Sequence, residues 1–314
     1  MTSWNGNGNG NGSGNGVAVV TAGTGGIGLE TALGLAAAGL SVTVVGRNAD
    51  RGARAVRRIS AVNPERPGRF LRADLSSLDE VRDLAARIAA ECAAAGEPPA
   101  VLVNNIGAMY PKRHDLGGVE ASFVVNHLSP YLLTELLLPT FTAGGSGRIV
   151  NVTSGAVVAA KRVFEAVEPP GGYYGFHWYG RAKLANLAYT LDLAGRLEGT
   201  GVSVFAADPG GAATDMTDGT LSDPEIVSPA LRLLWPLVRR RFERSTWGPA
   251  SVAARPSIVA ATDPTLTGRT GVVIGSRARP VRPFRPATDP RLAAAVRRLG
   301  ERHAPLAATL PDLG

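Results

Sequence analysis

Cysteine is almost absent from this 314-residue chain: Cys92 stands alone. A single thiol excludes an intramolecular disulfide framework and any metal site built from several cysteines. It sits among alanines in a helical pattern, where it reads as a buried, inert group. The four histidines, His114, His127, His177 and His303, share no metal-ligand spacing, so no metal is expected. No run of about 18 apolar residues occurs, so no membrane span is expected. The start of the chain lacks a basic segment followed by an apolar one, which argues against a secretory signal. A reducing, cytoplasmic setting fits these absences. Lysine is scarce as well. Only Lys112, Lys161 and Lys183 occur among 33 basic residues, and the rest are arginines.

Acidic residues number 26, leaving a formal charge of +7. A basic excess raises nucleic acid, a membrane surface or an acidic small molecule as partner. Here the excess is local. From Arg277 to Arg302 eight arginines stand against only Asp289 and Glu301. A second run, Arg239-Arg240-Arg241-Phe242-Glu243-Arg244, follows a lipophilic stretch. A solvated surface is the simpler reading. No recognition motif or aromatic–basic alternation supports nucleic acid, so none is expected as partner. Hydrophobic residues at 45% and charged residues at 19% supply a large core.

What is present is an alternation. Residues 5–16 pair Asn with Gly and bury nothing, so 1–16 is expected to be disordered. Val17–Thr21 is an apolar run suited to a strand buried on both faces. A helical pattern spans Ile27–Ala38 and stops at Gly39, in the position where a left-handed residue is easiest. Ser41–Val45 is a strand and Ala49–Ala61 a helix capped by Asn48. Arg69–Arg72 is a strand. The helix from Leu78 has Ser77 and Glu80 at capping-box spacing. Further strands are expected at Ala100–Asn104, Arg148–Thr153, Val202–Ala207 and Thr270–Ile274. Helices are expected from Gly118 to Phe141, bent before Pro130, and from Tyr179 to Glu198. Such alternation predicts an α/β single domain with a doubly wound, mostly parallel sheet in three layers, α/β/α. The expected domain covers 17–276. A basic tail with a short helix follows at 277–314.

The first strand runs into Thr21-Ala22-Gly23-Thr24-Gly25-Gly26-Ile27-Gly28. Glycines let the backbone approach a pyrophosphate, and the next helix offers it unpaired N–H groups. A tight structural turn would look similar, but its place at the first strand–helix junction favours a nucleotide. The second strand ends at Arg47-Asn48. A carboxylate there would bind the adenosine ribose and repel a 2′-phosphate, whereas a guanidinium suits the phosphate. This favours NADPH over NADH. The alternative is a solvent-facing arginine in an arginine-rich chain. Asp74, followed by Leu75, ends the third strand and could bond the adenine amino group. Asn104-Asn105-Ile106-Gly107 ends the fourth strand at the same edge.

These residues resemble the short-chain dehydrogenase/reductase family. Its TGxxxGxG motif is matched by Thr21, Gly26 and Gly28, with Ala22 where the first glycine stands. Its NNAG motif appears as Asn104-Asn105-Ile106-Gly107. The resemblance runs from Val17 to about Thr214 and implies a Rossmann-type fold with bound NADP. It implies cofactor contacts from Thr21, Gly23, Thr24, Gly26, Ile27, Gly28, Arg47, Asn48, Asp74, Leu75, Asn105 and Gly107. Pro209, Gly210 and Thr214 match the segment bordering the nicotinamide carboxamide.

Tyr179 and Lys183 are four residues apart, one turn along the same helix face. A free phenol has a pKa of about 10, too high for easy proton exchange at neutral pH. A nearby ammonium and an oxidised, positive nicotinamide would lower it. The resemblance implies that Tyr179 transfers the proton and that Lys183 supports it and bonds the nicotinamide ribose. It further implies that Ser154 polarises the carbonyl and that Asn126 supports a water chain. Asn126 also reads as a bend residue near Pro130.

Ser154 and Tyr179 stand 25 positions apart, more than in the simplest members. Five aromatics crowd Tyr173–Tyr179. Tyr173, Tyr174, Phe176 and Trp178, with His177, are candidates for a wall against a flat or apolar substrate. Packing of a long loop would explain them equally well. After Thr214 come Leu231, Leu233, Leu234, Trp235 and Leu237, expected as part of a substrate lid over about 212–250. The long loop, the run Tyr179–Asn186 and Arg47-Asn48 resemble the retinol-dehydrogenase-like branch. That branch handles bulky lipophilic alcohols, aldehydes and ketones. Light-dependent protochlorophyllide reductases share these features but use cysteines near the substrate, and Cys92 lies in the wrong part of the chain. The working expectation is an NADPH-dependent ketoreductase of secondary metabolism. A non-catalytic NADPH-binding regulatory or scaffold protein is the alternative. The apolar long helix and the Tyr179 helix are candidate faces for a homodimer or homotetramer.

Overall fold

The computed structural model of the protein describes residues 16–210, 226–232 and 248–307. Thr214, most of the expected lid with Leu233 to Leu237, the Arg239–Arg244 run and nearly all of the Asn/Gly head lie outside the described residues.

The apolar runs form strands β1 (Val17–Val20), β2 (Ser41–Gly46), β3 (Arg69–Arg72) and β4 (Pro99–Asn104). A small hairpin follows, β5 (Asp115–Leu116) with β6 (Val119–Glu120). Strands β7 (Gly147–Val152), β8 (Val202–Ala207), β9 (Val272–Gly275) and β10 (Arg279–Val281) complete the main sheet. Its order is β10-β9-β8-β7-β4-β1-β2-β3, parallel except for β10, which pairs antiparallel with β9. The order reverses between β1 and β4, where such sheets open a crevice. Helices α1 (Gly26–Ala37) and α2 (Ala49–Val62) cover one face. Helix α3 (Leu78–Ala95) covers the other. The doubly wound α/β architecture read from the sequence is the one observed.

Local chemistry sets the ends. Gly39 takes φ +91° just past α1. The Asn48 side chain accepts the Arg51 N–H at 2.9 Å and caps α2. The Ser77 hydroxyl accepts the Glu80 N–H at 3.3 Å. The carboxylate of Glu80 does not return to Ser77 but accepts the Asp74 N–H at 2.8 Å.

The single helix expected from Gly118 to Phe141 is broken up. After β6 come α4 (Ala121–Phe123), a π-helical turn (Val124–Leu128) and α5 (Ser129–Ala143). The Ser129 N–H reaches back five residues to the Val124 carbonyl. Pro130 has no N–H to offer Asn126, so the regular ladder fails here. The Tyr179 helix, α6 (Gly175–Arg196), starts four residues earlier than expected, with His177 and Trp178 N–H groups bonded to the Tyr174 carbonyl.

A buried polar crossbar ties strands to helices. The Asn104 amide donates to Asn151 and Thr134, both at 2.8 Å, and Asn151 donates to Thr190 at 3.0 Å. It pins α5 and α6 to paired residues of β4 and β7, which fixes the register of α6, the helix of Tyr179 and Lys183.

Two helices close the fold: a short turn, α7 (Pro229–Arg232), precedes α8 (Ala250–Thr262) and α9 (Pro290–His303). Ile258 of α8 meets Gly34, where a Cβ would lie 2.4 Å from it. The segment after 277, read as a tail, carries β10 and α9. Val296 and Leu299 of α9 join the main core, and the Tyr131 ring lies against Gly300. Helix α9 thus lies over part of the α5 and α6 surface that was a candidate oligomer face. Among the described residues no helix is long and apolar enough to cross a membrane.

Truncating fully buried Val296 to alanine removes contacts that seat α9. We expect Val296→Ala to cost on the order of 2 kcal/mol, read as a lower urea midpoint with unchanged slope.

Candidate active site

A cleft of about 450 Å³ runs along the C-terminal edge of the sheet at the β1/β4 switch point. Its lining comes from the ends of β1, β2, β3, β4, β7 and β8 and from α6.

The glycine-rich turn shapes its floor. Gly25 precedes α1 with no side-chain cap, so the first N–H groups of the helix are left for an anion. A Cβ on Gly28 would lie 2.4 Å from the Ala22 carbonyl and 2.5 Å from the Asn105 amide. Only glycine lets these three segments meet. Ala22 has φ +49°, a left-handed conformation that costs a non-glycine residue roughly 1–2 kcal/mol. The departure from the glycine motif therefore stores strain under the turn. Thr21 does not line the cleft. Its buried hydroxyl accepts the Asn105 and Ile106 N–H groups at 2.9 and 3.2 Å, joining turn and β4 loop. Gly23 also stays out, packed on Val44.

At one end stand Arg47, Asn48, Asp74 and Leu75. Arg47 is exposed and 3.9 Å from Asp74. Burial tends to raise the Asp74 carboxyl, but the Ser76 N–H and hydroxyl and the Arg47 and Arg72 charges outweigh it and hold the pKa below its ordinary value. Arg51 lines this end too. The sequence reading missed it, although it stands only four residues after Arg47.

At the other end Ser154, Tyr179 and Lys183 come together, with Thr153, Pro209 and Gly210 also in the lining. Lys183 is 1% exposed. Its ammonium donates to the Val152 carbonyl at 3.0 Å and the Ile106 carbonyl at 3.1 Å, the first at the end of β7 and the second in the loop after β4. Burial nevertheless draws its pKa down to about 7. Burial pushes Tyr179 up to about 12, a hydrogen bond with Ser154 opposes this, and the Asp208 charge adds to it. Without a cofactor the phenol is thus raised; the lowering expected from the sequence belongs to a site that also holds an oxidised nicotinamide.

Asn126 is fully buried in the π turn. Its amide oxygen accepts the Ala108 N–H at 3.1 Å, and its nitrogen donates to the Ala108 and Ser122 carbonyls at 2.7 and 2.8 Å. It clamps the loop after β4 that carries Asn105 and Gly107.

Of the five aromatic-loop candidates, Phe176 lines the cleft and the other four do not. The Tyr173 hydroxyl donates to the Tyr110 carbonyl at 2.7 Å. The Trp178 indole donates to the Gly172 carbonyl at 3.4 Å. His177 bonds the Ala159 carbonyl at 2.7 Å, and Tyr174 lies edge-on to His177. Much of the crowding is loop packing. Arg181 is its deepest element: it stacks between Phe123 and Phe164, each 4.6 Å away, and donates to the carbonyls of Val163, Ala166 and Val167. The apolar wall near Tyr179 is completed by Met109 and Ala156, which no motif had marked; Tyr110 and Val125 also line the cleft.

Between pH 7 and the ordinary lysine value of 10.5, the unfolded chain binds the Lys183 proton more strongly than the folded one. Stability should therefore rise with pH from about 7 to about 10. In Lys183→Met, urea midpoints at pH 7 and pH 9 without cofactor should differ less than in the parent.

A sequence profile of the short chain dehydrogenase family matches residues 16–225. Retinol dehydrogenase 12 of Mus musculus is 35% identical over 224 residues, which covers 70% of this chain and 66% of that protein. The match thus spans just under two thirds of that relative. Among solved structures, an uncharacterized protein from Mycobacterium Paratuberculosis gives a TM-score of 0.71 at 26% identity, over 94% of this chain and 95% of that one. A structure described as an NAD(P) dependent gluconate 5-dehydrogenase from Beutenbergia cavernae, with bound NADP, gives 0.65 at 26% identity over 83% and 95%.

Proposed function

The chain belongs to the short chain dehydrogenase family, on its retinol-dehydrogenase-like branch, and from that premise we propose an NADPH-dependent oxidoreductase acting on a carbonyl or alcohol of a bulky lipophilic or aromatic molecule. The observation that carries this is one cleft with Arg47 at one end and Ser154, Tyr179 and Lys183 at the other. Its length and its open helix N-terminus suit a dinucleotide.

Arg47, with Arg51 beside it, would hold the 2′-phosphate, and Asp74 the adenine. The uncapped start of α1 would take the pyrophosphate. Lys183 has two of its three N–H donors on carbonyls, which leaves one for the nicotinamide ribose. A nicotinamide held beside Ser154, Tyr179 and Lys183 would supply the hydride chemistry toward a carbonyl or alcohol carbon. Ser154 bonds the reacting oxygen. Tyr179, held protonated by its burial, carries the proton that carbonyl reduction needs, and the Lys183 charge beside it would ease its release. Asn126 keeps the loop after β4 in place.

Met109, Ala156 and Phe176 give the reacting end an apolar wall, which favours a lipophilic substrate. A ketoreductase of secondary metabolism fits that class. So does an enzyme for a retinoid-like aldehyde, which the name of the mouse relative favours. A cytoplasmic setting agrees with the free thiol of Cys92.

Two variants test the reading by NADPH consumption across lipophilic ketones and aldehydes. Tyr179→Phe should lower kcat by roughly 100-fold or more while NADPH still binds; unchanged turnover would remove Tyr179 as proton donor. Arg47→Asp should shift the NADPH/NADH preference by about tenfold toward NADH. A constant ratio would take Arg47 out of the site.

A further inference from the structure

The histidine two residues before Tyr179 looks away from the cleft and holds two separate segments. His177 Nδ1 lies 2.7 Å from the Ala159 carbonyl oxygen. Its Nε2 lies 3.3 Å from the Ser228 backbone nitrogen, which donates to it. A carbonyl can only accept and a backbone N–H can only donate. Nδ1 therefore carries the proton and Nε2 is bare, so the two partners select one neutral tautomer.

The two partners belong to different parts of the site. Ala159 ends the 3-10 turn Gly155–Ala159, which follows Ser154. Ser228 belongs to the segment 226–232, held compact by Leu231 and Arg232 N–H groups on the Ser228 carbonyl, at 2.9 and 3.1 Å. Just before it, Ile226 and Val227 are fully buried. They pack in one cluster with Ala156, Phe176 and Tyr179, with Met109 and Leu231 against it. Ala156, Phe176, Tyr179 and Met109 are cleft residues. Two aliphatic side chains therefore stand directly behind the apolar wall, and a hydrogen bond to His177 anchors the segment that carries them.

We propose that His177 is a positioning residue: it docks 226–232 against the cleft wall, so that Ile226 and Val227 limit and support the apolar group that lies beside the reacting carbon. This rests on the carbonyl and alcohol reading given above.

Two substitutions separate the bonds. Asn at 177 keeps a donor near the Nδ1 position, within reach of Ala159, but is too short for Ser228. Gln places an acceptor near the Nε2 position. In the NADPH-bound protein, His177→Asn should speed amide hydrogen exchange at Ser228 by roughly fivefold or more, with Gly155–Ala159 unchanged. In reductase assays its decanal-to-butanal ratio of kcat/KM should fall about fivefold, and His177→Gln should recover most of it. NADPH affinity and Tm of both variants report that each is folded. Unaltered exchange at Ser228 in His177→Asn overturns the docking role. Altered exchange with an unchanged aldehyde ratio overturns the link to substrate size. If the parent reduces neither aldehyde, the carbonyl reading fails on its own account, and the exchange measurement still decides whether His177 docks the segment.

Discussion

The site depends on a buried cation. An ammonium out of water is costly unless polar groups surround it, and Lys183 meets that demand with the Val152 carbonyl at the end of β7 and the Ile106 carbonyl in the loop after β4. Those bonds can form only if α6 lies across β7 and that loop at one depth and rotation. Tyr179, one turn earlier on the same face, is then fixed as well. Ser154 follows because it continues the strand whose Val152 carbonyl holds the lysine. The Asn104–Asn151–Thr190 crossbar secures the same arrangement from beneath. Geometry for proton transfer is thus set by the solvation needs of one side chain.

The two ends of the cleft work in different media. Arg47 is 76% exposed at the side chain, so its field is screened, and in the proposed function it would act by the fit of its guanidinium to a phosphate rather than by long-range attraction. At the other end Tyr179 and Lys183 are buried, and each is driven toward its neutral form. A dry reaction end responds strongly to any charge placed in it. That contrast suits one groove to the proposed roles, a polyanion at its mouth and proton transfer at its root.

Much of this was legible from residue order alone. Apolar runs gave the strands. Glycine spacing marked the turn, and the Tyr179–Lys183 interval marked the helix face. Asn48 and Ser77 announced their caps. What stayed hidden depended on residues distant in sequence. No periodicity says that Phe176 faces the cleft while Tyr173 and Trp178 face the loop. Ile226 and Val227 sit in no pattern, and their closeness to Tyr179 exists only in the folded chain. Helix α8 was missed because Pro256 lies inside it, and α9 was under-read because its arginines masked Val296 and Leu299. The break at Asn126 was half legible: Pro130 predicted a bend, but not that the ladder would lengthen by one residue.

Arg181 binds the 160–170 loop through main-chain oxygens of Val163, Ala166 and Val167. Such recognition is blind to the side chains at those positions. At those three positions the loop is therefore anchored by its path and length rather than by its letters, while Phe164 adds its own ring to the grip. Val163, Ala166 and Val167 can change without loss of these bonds, whereas a deletion or a proline that redirected a carbonyl would undo them. Arg181, set between the two catalytic candidates of α6, thus ties the loop's path directly to the helix of the site.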